Sequence, residues 1–207
     1  MKDEKGFTLI EAIVVIAVLA ILAGTLVPLA IKNIEDSKLS AAQADVKAIV
    51  AAITNLNKDT SRYPHQPDTG DYFNNHLYLL YSGESISEPA YGFAGGGTSG
   101  FTSRREPMAH HLIRNKPNGV GTRYNNWKGP YLAADRYDQW GMSYYITVIG
   151  YAHCLSNYLW PYVWVISAGP DQTLSTSSHT SSNGMLSGDD IGLLIHQGNT
   201  SAPCDPD

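Results

Sequence analysis

An uninterrupted apolar run, Ala12 to Ile31, contains no charged residue and a single proline, Pro28. At about 1.5 Å per helical residue it reaches roughly 30 Å, the hydrocarbon thickness of a bilayer. It predicts a transmembrane helix rather than a core helix. The short stretch Met1–Gly6 precedes it, with Lys2, Asp3, Glu4 and Lys5 all charged, and a lone carboxylate, Glu11, stands at its start. Past Pro28 the pattern becomes one-faced. Leu39, Ala42, Val46, Ile49, Ile53 and Leu56 recur at alternating steps of three and four, while Lys38, Asp45, Lys47 and Lys58 lie off that stripe. The spacing predicts one helix over 7–57, apolar all round in its first half and amphipathic in its second. The second half needs a covering surface, most simply a sheet in the same chain. Pro28, which lacks an amide hydrogen, is predicted to kink or loosen the helix.

A secretory signal carries its cleavage site after the apolar segment. Here the small residue placed for processing, Gly6, lies before it. Cleavage there keeps the apolar helix and creates a new amino terminus at Phe7. The stretch Gly6-Phe7-Thr8-Leu9-Ile10-Glu11 resembles the processing signal of type IV pilins and type II secretion pseudopilins. The resemblance implies that a prepilin peptidase cuts between Gly6 and Phe7 and N-methylates Phe7. It also implies that Glu11 pairs with the Phe7 amine of a neighbouring subunit, and that Pro28 belongs to the assembling helix.

The net charge of −5, with Lys+Arg only 14 in 207 residues, leaves no basic footprint for nucleic acid. The two cysteines, Cys154 and Cys204, are far apart and lack metal-ligand spacing. In an oxidising, exported setting they pair as a disulfide or stand as two unrelated thiols; pairing is the expectation.

Beyond the helix, 58–126 reads as a variable connection. Asp71 to Tyr81 and Pro107 to Asn115 are candidate short helices, and Tyr91 to Ser103, with Gly95-Gly96-Gly97, is a loop. The region 127–207 reads as an antiparallel β head with an acidic C-terminal loop. Tyr144 to Ile149 and Tyr162 to Ile166 are β-branched and aromatic, and Ile191 to Ile195 is a weaker third strand. The expected fold class is α+β: a long N-terminal α-helix packed on a small antiparallel sheet.

The head extends the resemblance. Trp127-Lys128-Gly129-Pro130-Tyr131-Leu132, Asp138-Gln139-Trp140-Gly141 with Tyr144, Ser167-Ala168-Gly169-Pro170-Asp171, and Asp189-Asp190-Ile191 are similar, in the same order, to the head of the major pseudopilin of type II secretion systems. The connection and the Ser-rich acidic loop are longer than that family's, and Gln172 follows Asp171 where a Gly is usual. The resemblance implies the type IV pilin fold and a Ca²⁺ site built from Asp171, Asp189 and Asp190, with the Ala168 carbonyl as a further ligand. On residue chemistry alone, three surface aspartates are as well explained by solvation.

Catalytic patterns are weak. Asp68-Thr69-Gly70 matches an aspartic-protease tripeptide without a second copy. His110-His111 lack a metalloprotease spacing and are expected to diverge on a helix into surface or packing roles. Ser167 lacks the nucleophile-elbow pattern. The expectation is no enzyme but a filament subunit. The resemblance implies that it is held in the inner membrane with a periplasmic head, then assembled as a homo-oligomeric helical filament with an assembly ATPase and a membrane platform. A type IV pilus major pilin, and a membrane-anchored enzyme or binding module, are the alternatives.

Overall fold

The computed structural model describes residues 6, 8–64, 79–83, 105–117, 124–148, 162–176 and 185–197. Helix α1 spans Leu9–Thr60 and runs through Pro28 without a break in its assignment. It ends three residues beyond the expected end at 57, where Ser61 takes a positive φ of 56° and its N–H donates to the Asn57 carbonyl at 2.7 Å. The chain divides into two compact units, Met1–Ser40 and Ala41–Asp207.

In the first unit the apolar half of α1 has no cover among the described residues. Leu9 is 78% exposed and Ile21 69%. By length and composition α1 is apolar enough to cross a membrane.

In the second unit the amphipathic half of α1 behaves as its spacing predicts. Ala42, Val46, Ile49, Ile53 and Leu56 are buried, and Ala52 joins them. Leu39, at the upstream end of the stripe, is only half-buried. The sheet has five strands: β1 (Leu79–Tyr81), β2 (Arg105–Pro107), β3 (Tyr145–Thr147), β4 (Tyr162–Ser167) and β5 (Ile191–Gln197), in spatial order β2-β1-β3-β4-β5. All pairs among β1, β3, β4 and β5 are antiparallel, but β1 and β2 run parallel. The strands expected in 127–207 pair antiparallel as expected, and β1 and β2, which the sequence did not mark as strands, add a parallel pair that makes the whole sheet mixed. The expected short helix over Asp71 to Tyr81 is corrected at its end, since Leu79–Tyr81 is a strand and 71–78 lie outside the described residues. Pairing with β3 on one side and β2 on the other outweighs the local pattern there. The second expected helix survives as α2 (Met108–Leu112).

Every residue of β4 is buried, so its run is apolar on both faces. One face gathers Tyr145, Tyr162, Trp164 and Ile166 with Leu79, Ala168 and Leu174. Leu80, Ile146, Val163 and Val165 are fully buried as well. The long helix with a small five-stranded sheet is the α+β arrangement of the type IV pilin fold.

Candidate functional site

Two regions carry the functional residues, and each lies within one unit. The first is the start of α1. Gly6 is exposed, and Phe7 lies outside the described residues. Thr8 is the helix N-cap. Its backbone N–H and its hydroxyl both donate to Glu11 Oε2, at 2.9 and 2.8 Å, while the Glu11 N–H donates to Thr8 Oγ1 at 3.3 Å. This is a reciprocal capping box, which satisfies orphan donors of the first turn. Its signature, Thr8-x-x-Glu11, is legible in the sequence. Within the chain, Thr8 is the partner of the Glu11 carboxylate. Further along, the Thr25 hydroxyl donates to the Leu22 carbonyl at 3.0 Å, one turn before Pro28.

The second region is the acidic loop between β4 and β5. Positive-φ Gly169 lets the two ends of the loop meet, since a Cβ there would stand 2.4 Å from the Asp189 carbonyl oxygen. Asp189 Oδ2 accepts the Asp171 N–H at 3.0 Å, and Asp171 Oδ1 accepts the Thr173 N–H at 2.7 Å. Gln172 takes a left-handed φ of 60°, the conformation in which glycine is easiest. Asp190 is buried. Its Oδ2 accepts from Ser175 N at 3.0 Å and Thr176 N at 2.6 Å, while its Oδ1 is buried with no hydrogen-bond partner. Burial raises the Asp190 pKa, the amides and hydroxyl around it oppose that shift, and Asp189 adds to it. The Ala168 backbone sits fully buried at the foot of the loop.

A buried network holds this foot in place. Ser167 Oγ donates to Asp138 Oδ2 at 2.5 Å and accepts the Gly169 N–H at 3.1 Å. Asp138 Oδ1 takes the N–H groups of Trp140 and Met142. Ser167 is thus a positioning hydroxyl.

The loop fits a hard cation in its donor chemistry. Its candidate donors are all oxygens, and one carboxylate oxygen is buried and orphaned. Among the described residues, however, no group of three or more His, Cys, Asp or Glu side chains stands close enough together to hold a metal ion.

The adjacent histidines do not diverge into separate roles. His110 Nδ1 lies 2.6 Å from Glu106 Oε1, and His111 Nε2 lies 3.1 Å from Glu106 Oε2. Tyr124 OH meets His111 Nδ1 at 2.6 Å. One buried carboxylate therefore collects both rings, which corrects the expectation of divergence. His110 and His111 follow Glu106 by four and five residues, and over the single turn of α2 those spacings bring both rings back to one side. Asp68-Thr69-Gly70, Cys154 and Cys204 lie outside the described residues.

A family profile described as the prokaryotic N-terminal methylation motif matches residues 1–27. The chain is 40% identical to the type II secretion system core protein G of Pseudomonas aeruginosa over 63 residues, 30% of this chain and 44% of that protein. It is 38% identical to the core protein G of Klebsiella pneumoniae over 64 residues, 31% of this chain and 46% of that one. The core protein G of Vibrio cholerae matches at 38% over 64 residues, 31% of this chain and 44% of the relative. In each case the chain spans less than half the length of the curated relative it matches. No solved structure gives a significant match. With an exposed apolar helix opened by a methylation motif, and a small mixed sheet beyond it, the chain resembles the type IV pilin-like family and, over its N-terminal region, the core protein G of type II secretion systems.

Proposed function

We propose that this protein is the structural subunit of a pilin-like filament, in the role of the major pseudopilin of a type II secretion system. The observation that carries this reading is the exposed apolar half of α1, whose start lies within a match to the methylation motif over residues 1–27. An apolar surface of that extent needs a partner. Lipid and a bundle of identical helices are both apolar, so moving from one to the other changes the surroundings of α1 little. Subunits are stored in the inner membrane with the head on the periplasmic side, then packed helix to helix. Prepilin peptidase, an assembly ATPase and a membrane platform serve that route. Gly6 is the residue cut after, and Phe7 is the methylated amine that Glu11 meets in a neighbour. Pro28 adjusts the packed helix.

The same proposal includes the loop. Asp171, Asp189 and Asp190, with the Ala168 carbonyl, hold Ca²⁺ and so pin two distant stretches of chain. The ion supplies positive charge beside Asp189 and Asp190, whose mutual repulsion it relieves. Cys154 and Cys204 close a disulfide.

Intact-mass measurement of sheared filaments tests the reading. A chain that begins at methylated Phe7 supports it. Filaments whose subunit still begins at Met1, or a processed chain that never assembles beyond a monomer, would sink it. Long surface fibres in a strain without secretion genes favour a type IV pilus instead.

A further inference from the structure

In a chain of net charge −5, several exposed basic side chains of the second unit stand on elements that are bonded to one another. Lys58 is exposed in the last turn of α1, and Arg114 and Lys116 are exposed in the turn after α2. These elements are stitched together. Tyr131 N–H donates to the Leu112 carbonyl at 2.8 Å, and Trp127 Nε1 to the His111 carbonyl at 3.4 Å. Tyr131 OH then donates to Asp59 Oδ2 at 3.0 Å, and Lys128 Nζ reaches Asp59 Oδ1 at 3.4 Å while 72% exposed. Lys58 is accounted for by the helix dipole. Arg114 and Lys116 are not, and neither has an ion-pair partner among the described residues. Asn115 holds the turn between them, with a φ of 49° and its side chain accepting the Tyr124 N–H at 2.8 Å. The two cations are therefore presented on a braced turn.

The acidic loop is linked to a different level of α1 through the Gln139–Trp140 segment. Gln172 Nε2 donates to the Trp140 carbonyl, and the neighbouring Gln139 donates to Asp45 Oδ2, each at 3.4 Å. Tyr144 OH and Arg136 reach the same Asp45 carboxylate. Asp45 and Asp59 lie on one helix about 20 Å apart along its axis, given roughly 1.5 Å per residue. So the head has a basic pole, Arg114, Lys116 and Lys128, by the C-terminal end of α1, while the acidic loop of Asp171 and Asp189 is tied through Gln172, Trp140 and Gln139 to the level of Asp45, where Arg136 also stands.

We propose that the basic pole, Arg114 and Lys116 with Lys128, is the docking surface for the acidic loop of a second copy of this chain. The inference rests on the filament reading, in which copies pack with α1 parallel. Parallel copies displaced along the axis bring one head's basic pole toward the next head's acidic pole. Such a contact joins two different patches of the same chain, so it is heterologous and propagates without closing. Its charges are complementary, which favours correct encounter and register over wrong ones. A bound dication leaves the three-carboxylate loop negative, so the contact survives calcium.

The test uses the full chain in a host that assembles it, with sheared filament yield as the readout. Zero-length carbodiimide cross-linking of the unmodified filaments should join Lys116 to Asp171 or Asp189 between subunits. Arg114→Glu with Lys116→Glu should lower the yield about five-fold or more, because exposed pairs contribute up to about 1 kcal/mol each. The head's melting temperature should not change, because both side chains are exposed. Lys116→Arg should keep the filaments and lose the cross-link. Normal yield from the double reversal, or cross-links at other residues alone, would overturn the docking surface while leaving the filament reading intact. Absence of filaments from the unmodified chain overturns the filament reading, and this contact with it. Normal filaments combined with lost binding to phosphatidylglycerol vesicles would assign the basic pole to lipid and likewise overturn it.

Discussion

Glu11 is satisfied inside its own chain, by Thr8, before any neighbour is available. Its proposed role in assembly is therefore an exchange of partners rather than the rescue of a bare charge. Thr8→Ala should remove the cap, at a cost of about 1 kcal/mol. Amide hydrogen exchange in the first turn of α1 should speed up, with head melting unaffected. Glu11→Ala should insert in the membrane yet assemble poorly, and a normal filament yield would argue that the cap is its whole role. Asp190 poses the opposite problem, a buried carboxylate with one oxygen unmatched. Because its folded pKa is raised above the unfolded value, its contribution to stability is full at low pH. That contribution is lost as pH rises through the raised pKa. Without calcium the head should therefore melt higher in mild acid than at neutral pH. Asp190→Asn should raise the melting temperature in chelator, by on the order of 1 kcal/mol of stability, and abolish any calcium-dependent shift. A parent head with no calcium-dependent shift in melting would remove the ion from this account. Gln172 is strained by its left-handed φ. Gln172→Gly should stabilise the head by roughly 0.5–1 kcal/mol, because the relief exceeds glycine's entropic cost.

The two halves of α1 answer to different surroundings, and substitutions should separate them. Ile53 and Leu56 are fully buried in the second unit, whereas Ile21 is 69% exposed. Ile53→Ala or Leu56→Ala should cost the head about 2–5 kcal/mol in denaturant unfolding. Ile21→Ala should leave head unfolding untouched and change only membrane retention or filament yield. The stripe that makes this division was legible because a helix repeats every 3.6 residues, so burial writes itself into local spacing. The strands were less legible. β3, β4 and β5 lie in β-branched and aromatic runs, but Leu79–Tyr81 and Arg105–Pro107 are three residues each with no such run around them. A short strand outside such a run has no pattern to read, and a long-range pairing partner decides its state.

For the whole molecule, the filament proposal makes the disulfide checkable on the same material. Non-reducing peptide mapping of sheared filaments should recover Cys154 linked to Cys204. Two alkylatable thiols would remove the bridge, and with it the roughly 3–5 kcal/mol that closing so long a loop contributes in the chain-entropy view.

By itself the sequence determined the long helix, its apolar and amphipathic halves, the processing motif and the strand-rich end. Each of these depends on neighbours along the chain: hydropathy, helical period, β propensity and a short motif. Only the tertiary structure decided the parallel pairing of β1 with β2 and the convergence of His110 and His111 on Glu106. It also decided the meeting of Asp171 with Asp189 across the loop. Those features join residues tens of positions apart, or set a side chain's direction within a single turn of helix. They follow from how the elements stack, because the paired atoms come within hydrogen-bond reach only once the sheet has closed.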